Sequence, residues 1–217
     1  MRAPGVRVFV LAGVLGASCV VLAQSSAPPA YLRWSAAEAQ RIGQSLRVDG
    51  RVGGLLDLRL IHTERSFNYK LRATWLTREV IEATARLAQL RDRLTDDQAA
   101  ALVRDATAVG DAVFLVEIDP REGSGIIPPD WKAFLGPAGN DAAAIAGTDS
   151  PSIGRLQALQ GVYRRDYNYD RFWVVFPLKR ADGTPLLPAG TAQVELTVRI
   201  HDKEGRVKWP RPAGLPQ

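Results

Sequence analysis

The segment Ala112–Asp119 constrains the fold of this 217-residue chain more than any other feature, because it is short and almost wholly apolar. Gly110 and Asp111 precede the segment, and Pro120 follows it. An apolar run of this length predicts a strand that is buried on both faces. A strand covered on both sides lies inside a layered domain, so the remaining chain has to supply a layer above it and another below it.

Other segments show the patterns of strands that would pack beside this one. Phe172–Leu178 is a second continuous apolar run and is the predicted neighbour of Ala112–Asp119. Apolar and polar residues alternate in Leu56–Ile61 and again in Phe67–Trp75, which predicts an antiparallel hairpin with one buried face. Val194–Ile200 shows the same alternation, and Arg206–Trp209 is predicted to pair with it as a short edge strand.

A helical hairpin is predicted over residues 77–109, immediately before the central strand. Thr77 caps a first helix that extends to about Leu94 and has Glu82 and Arg86 paired on its exposed side. The capping box in residues 95–98 starts a second helix that ends near Gly110. Apolar residues at three- and four-residue spacing predict the buried stripe of the first helix, namely Val80, Ala83, Leu87, Leu90 and Leu94.

Shorter helical segments are predicted over Ala36–Leu46, Asp130–Leu135 and Ile153–Tyr163. The sequence is 46% hydrophobic and 24% charged, which is typical of a globular domain. We therefore predict a mixed, β-rich α+β fold: an antiparallel β-sandwich or sheet of about six or seven strands in one domain over residues 35–212, with a mobile loop at 136–154 and a tail at 213–217. The alternative is a single sheet covered by the helix pair.

The N-terminus resembles a targeting segment. Arg2 and Arg7 supply positive charge, and the apolar run Val8–Leu22 follows them. We expect a signal peptide over residues 1–23, cleavage after Ala23, and a tether over residues 24–34, which places the protein in the periplasm or outside the cell. Two alternatives remain: a retained membrane anchor, and a lipoprotein acylated at Cys19.

Composition excludes several classes of function. Cys19 is the single cysteine, so removal of the N-terminal segment would leave no disulfide and no cysteine nucleophile. The formal charge is +5, but the 28 Lys and Arg residues are scattered along the chain, so we expect no nucleic-acid partner. The sequence contains no glycine-rich phosphate loop, and no cofactor is predicted.

Three features carry candidate chemistry. His62 and His201, the two histidines, each have an acid nearby, Glu64 and Asp202, and a metal-dependent or hydrolytic site on adjacent strands is one hypothesis. Solvated strand faces are the favoured interpretation of these residues. Glu117 interrupts the apolar run, which indicates an ion pair with an arginine, a strand end or a buried acid with a shifted pKa.

The third feature is an interleaved set of aromatic and arginine side chains, which can stack on sugars or peptide side chains. These residues are Arg164, Arg165, Tyr167, Tyr169 and Arg171, with Tyr163 preceding them. The favoured interpretation is a loop that leads into a strand and places one or two of its rings in the core.

The function predicted from these features is that of an exported, non-enzymatic binding, adaptor or assembly module of the bacterial envelope. The expected partner is another envelope protein, a peptide or a glycan. Membrane contact is expected only if Cys19 is lipidated or the N-terminal segment is retained. A secreted hydrolase or metal-dependent enzyme using His62 and His201, and a structural lipoprotein, are the alternatives.

Overall fold

The computed structural model describes residues 28–54, 68–120, 126–160, 168–213 and 215, and in these ranges nine strands form two antiparallel sheets. The strands are β1 (Arg47–Val52), β2 (Tyr69–Trp75), β3 (Ala112–Asp119), β4 (Lys132–Pro137), β5 (Ile145–Ala146), β6 (Thr148–Asp149), β7 (Asp170–Phe176), β8 (Gln193–Ile200) and β9 (Lys203–Pro210). The helices are α1 (Ala36–Gln44), α2 (Arg78–Asp92) and α3 (Asp96–Thr107).

The two sheets have the strand orders β1-β2-β3-β7-β6 and β5-β4-β8-β9. The predicted β-rich α+β class is confirmed, with the helical hairpin placed before β3. The predicted pairing of β3 with Phe172–Leu178 is also confirmed, since Phe114 lies opposite Val174 in β7. The described strands outnumber the predicted six or seven because β1 and β4 were not predicted as strands and because β5 and β6 contain only two residues each.

All eight residues of β3 are buried, and alternate residues face different layers. Phe114 faces the four-stranded sheet, and its ring lies 5.4 Å from that of Trp209 in β9 and 4.9 Å from that of Trp75 in β2. Val113 and Leu115 face the other way and pack against α2 and α3. The central strand therefore belongs to two cores at once: one between the sheets and one under the helices.

The sandwich is closed where β1 meets β9. The backbone N–H of Gly53 donates to the carbonyl oxygen of Glu204 at 3.2 Å, which links the end of β1 to the start of β9. Gly205 permits this approach, because a Cβ atom there would collide with the carbonyl oxygen of Arg51. The opposite edge is closed by β5 and β6, which are separated only by Gly147 and pair with different sheets.

The predicted helix caps are confirmed. The Thr77 side chain accepts from the backbone N–H of Val80, and Thr95 and Gln98 form the reciprocal capping box at the start of α3. In the part of the chain that the structure describes, no helix is both long enough and apolar enough to cross a bilayer.

The buried face of α2 differs from the predicted stripe. Leu90 is 42% exposed, whereas Ile81 and Ala85 are buried against the five-stranded sheet and α3. Ala83 instead packs against α1, so α2 is covered on two sides and its buried surface is wider than one stripe. The predicted Glu82–Arg86 pair is wrong as well: Glu82 pairs with Arg78 at 3.0 Å, and Arg86 donates to the carbonyl oxygen of Trp34.

Two other local predictions are wrong. Asp130–Leu135 was predicted to be a helical turn, but Lys132–Pro137 forms β4, with Ala133 and Leu135 buried between the sheets. Ile153–Tyr163 was predicted to be a helix, but two 3-10 helices, Pro151–Arg155 and Gln157–Leu159, cover its described part. The predicted partner of β2, Leu56–Ile61, lies outside the described residues, and β1 pairs with β2 instead.

The segment predicted as a tether also contains packed structure at its end. Ala30–Arg33 forms a 3-10 helix in which Tyr31 and Leu32 are buried beside α2 and α3. The segment predicted as a mobile loop, 136–154, holds the end of β4, both strands of the closing edge and part of a 3-10 helix.

The C-terminus of α2 generates a stability prediction. Arg93 has φ 55° and ψ 43°, and the following N–H of Leu94 donates to the carbonyl oxygen of Gln89 at 3.1 Å. This left-handed position favours glycine, so Arg93→Gly should raise the free energy of unfolding by about 1 kcal/mol in urea titrations. The control Arg91→Gly, two residues earlier and inside the same helix, should lower it by about 1 kcal/mol. Equal losses in both variants would contradict the prediction.

Candidate functional site

Four charged residues of alternating sign lie in one row across the helix-side face of the five-stranded sheet. The strand register places Asp49 opposite Arg72, Arg72 opposite Glu117, and Glu117 opposite Arg171. The Arg171 Nε donates to Glu117 Oε1 at 2.9 Å, and the Arg72 Nε donates to Asp49 Oδ1 at 3.1 Å. Opposite charges directly across neighbouring strands stabilise the pairing in this register.

Glu117 is the centre of this row and is completely buried. Its Oε2 lies 3.9 Å from Arg72 Nη1, so the carboxylate is held between two guanidinium groups. The pKa of Arg72 is raised: burial lowers it, but the hydrogen bond to Asp49 and the charge of Glu117 outweigh that effect. The predicted ion pair between Glu117 and an arginine is thus confirmed.

Two of the five interleaved aromatic and arginine residues belong to this row of charges or contact it. Arg171 pairs inward with Glu117, and Tyr169 stacks over Arg72, whose Cζ lies 4.4 Å from the ring centroid. Arg164, Arg165 and Tyr167 lie outside the described residues. The contacts of Tyr169 and Arg171 are those expected of a side-chain network that supports the sheet.

His201 lies in the two-residue turn between β8 and β9, with φ 54°. It is exposed, and its Nδ1 lies 3.6 Å from Asp130 Oδ2 at the edge of a cavity of about 340 Å³. Asp202 shares the turn and is exposed. The other predicted metal ligands, His62 and Glu64, lie outside the described residues, and within those residues no three His, Cys, Asp or Glu side chains are grouped to hold a metal.

Two cavities flank the short segment that passes from one sheet to the other, Ile145–Ser150, which we call the crossover edge. Its first part pairs with β4 and its second part with β7. Gly147 lies at the change of sheet, where a Cβ atom would lie 2.7 Å from the ring of Phe176. The crossover edge can therefore lie directly on the core between the sheets only because this residue has no side chain.

Alternate residues of the crossover edge face opposite sides of the five-stranded sheet. Thr148 lies opposite Val175, which packs with the helices, whereas Asp149 lies opposite Val174, which lies between the sheets. Since side chains at successive strand positions point to opposite faces, each of the two residues borders a different cavity.

The cavity on the helix side is a groove of about 590 Å³, the largest of the three described here. Val109, Ile153 and Val175 give it an apolar floor, and Thr148, Ser150 and Ser152 place hydroxyl groups along it. Apolar walls with a few hydrogen-bonding groups are typical of sites that bind organic ligands.

The cavity on the inner side is a cleft of about 240 Å³ between β4 and β7. Trp131 lines it and packs against Phe172, with the ring centroids 4.7 Å apart. Asp149 supplies the one acidic side chain among the described lining residues. Burial raises the pKa of the Asp149 carboxyl, although the backbone N–H of Ser150 partly offsets this rise.

Sequence reasoning missed Trp131 and Asp149 as candidate binding residues. Trp131 falls in the segment predicted as a helical turn, and Asp149 in the segment predicted as a mobile loop. Gly and Pro residues on either side of both gave a loop signal, and the only indication of a strand was the alternation of Ala133 and Leu135 with exposed or half-buried neighbours.

Comparisons with protein-family models, with curated proteins and with solved structures find no match for this chain.

The charge row generates a stability prediction. Glu117→Gln should lower the free energy of unfolding by about 3 kcal/mol, because it leaves two largely buried guanidinium groups without their shared anion. The matched control, Glu82→Gln, removes a pair whose arginine is 79% exposed and should change stability by less than about 0.5 kcal/mol.

A double variant tests whether the charges of Glu117 and Arg171 contribute to stability as a pair. Glu117→Leu with Arg171→Leu removes both charges and should be more stable than either single leucine variant in urea titrations. Additive losses in the double variant would show that the two side chains do not act as a pair.

Proposed function

We propose that this protein is an exported, non-enzymatic binding module of the bacterial envelope, and that its ligand contacts lie along the crossover edge. The N-terminal positive charges, the apolar run Val8–Leu22 and Ala23 support the export step. The observation that carries the binding role is the position of the crossover edge between two cavities of different chemistry.

The geometry of the crossover edge suits a binding surface. Its two strands contain two residues each, so few main-chain hydrogen bonds hold them to either sheet. Strands β4 and β7 lie on its two sides, and Ala133 of β4 and Val174 of β7 contribute to the apolar lining of the inner cleft. Binding residues on a short connection that a rigid scaffold positions are a common arrangement in β-sandwich proteins.

The expected partner is an envelope protein, a peptide or a glycan. The groove favours a partner that inserts an apolar group and donates to, or accepts from, the hydroxyl groups of Thr148, Ser150 and Ser152. Two of these hydroxyls lie 3.2 Å apart, those of Ser150 and Ser152, so one partner group can contact both.

Export is tested by the mass of the processed chain in a fractionated Gram-negative host. We expect a periplasmic protein that begins at Gln24, and Ala23→Phe should block this processing because the peptidase requires a small residue there. Palmitate labelling that is lost in Cys19→Ser would instead identify the lipoprotein and contradict cleavage after Ala23.

Binding is tested by photo-crosslinking in the envelope of the producing cell. A photoreactive amino acid at Thr148 or Ser152, both exposed beside the groove, should give discrete adducts. The same residue at Lys208 on β9 or at Asp97 at the start of α3, two exposed positions away from the groove, should give few. Equal labelling at all four positions, or adducts at the control positions alone, would refute the proposed site.

A further inference from the structure

The inner cleft carries a carboxylate that no cation in the described part of the chain neutralises. Asp149 is exposed and has no ion pair among the described residues, and the partial burial of its carboxyl group still raises its pKa. Three other acids in strands, Glu117, Asp119 and Glu195, each lie within 4 Å of an arginine or lysine nitrogen. Asp149 therefore differs from these acids in both its partners and its surroundings.

The lysine that borders the cleft lies on another face of the sandwich. Lys132 is opposite Arg199 in the β4–β8 register, and both residues line the cavity beside His201 on the outer face of the four-stranded sheet. Because directly opposed residues point to the same face, the Lys132 side chain is directed outward and its main chain borders the cleft.

The walls of the cleft select the kind of cation that would fit. Trp131 offers an indole ring, and Pro129, Ala133, Ala146 and Val174 offer aliphatic surface. Calcium takes about six to eight oxygen ligands, whereas the described lining contains one carboxylate. An organic cation uses all of these groups, because it pairs with a carboxylate, packs against aliphatic walls and lies favourably over an indole face.

We propose that the cleft between β4 and β7 binds an organic ammonium group, with its charge paired to Asp149 and its alkyl carbons packed against Trp131. The cavity of about 240 Å³ accommodates a small head group and not a large ligand. This assignment names one ligand chemistry for the crossover edge and rests on the proposed binding function. The ammonium group belongs either to a small amine or to a lysine side chain of a partner protein.

The test is a titration of the processed protein, purified from the producing cell, followed by the NMR signal of the Trp131 indole N–H. Choline should shift this signal, and 3,3-dimethylbutan-1-ol, its uncharged isostere, should not. Asp149→Asn should weaken choline binding about tenfold, because it removes the negative charge that pairs with the ammonium group. Asp105→Asn removes the same charge from the exposed face of α3 and should leave the affinity unchanged.

A second arm identifies the source of the ammonium group. Tighter binding of N-acetyl-lysine methylamide than of choline would assign the cleft to a lysine side chain of a partner, and the reverse would assign it to a small quaternary amine. Thermal unfolding of Asp149→Asn accompanies each titration, so that loss of binding is compared only between folded proteins.

Three outcomes would overturn the proposal: equal shifts with choline and its uncharged isostere, unchanged affinity in Asp149→Asn, or no shift with any ammonium probe at millimolar concentration. The crosslinks from Thr148 and Ser152 report on the groove and not on the cleft. Adducts at those positions without ammonium binding would therefore refute this proposal while leaving the proposed binding function in place.

Discussion

The burial of β3 on both faces is the constraint on which the rest of the structure depends. Its inward residues need the four-stranded sheet, and its outward residues need α2 and α3, so neither layer is optional. Fully burying a large aliphatic or aromatic side chain contributes about 1.5–3 kcal/mol, and β3 buries five such side chains beside Ala112, Glu117 and Asp119. The helical hairpin precedes β3 directly, so the cover of its outer face is supplied by the chain segment that leads into it.

Two-sided burial makes the register of β3 critical, and Glu117 fixes that register. A shift of one residue would turn Phe114 toward the helices and direct the carboxylate of Glu117 into the core between the sheets. In the observed register Glu117 meets Arg72 on one side and Arg171 on the other, and the row ends at Asp49. Burying a carboxylate is costly unless it is paired, so the row excludes alternative registers as well as stabilising the observed one.

The fold was predictable where local patterns and tertiary packing agree. The apolar runs of β3 and β7, the alternation in β8, and the caps at Thr77 and Thr95 all gave the observed elements. β1 was missed because Asp49-Gly50 resembles a turn. Gly50 instead faces the other sheet, where a Cβ atom would lie 2.7 Å from Val207 Cγ1, so this glycine permits close packing within a strand.

The candidate site was less predictable than the fold, because its residues are brought together only by the meeting of the two sheets. Glu117 was identifiable as unusual from its apolar neighbours, but Arg171 is 54 residues away and only the β3–β7 register selects it. Trp131 and Asp149 come from different sheets, and neither shows a motif in its own segment. Sequence reasoning can identify a residue that disagrees with its neighbours, but it cannot identify two ordinary residues that become adjacent through packing.

Asp149 has a second physical role that bears on its proposed ligand. A charged side chain that points inward from an edge strand discourages pairing with another chain, and β6 is the edge of the five-stranded sheet. That role requires only a charge at the edge, and it is served equally well by a solvated carboxylate. It does not require an indole ring or aliphatic walls in the same cleft. The combination of an indole ring, aliphatic walls and a carboxylate in one cleft is better explained by a cationic ligand than by edge protection alone.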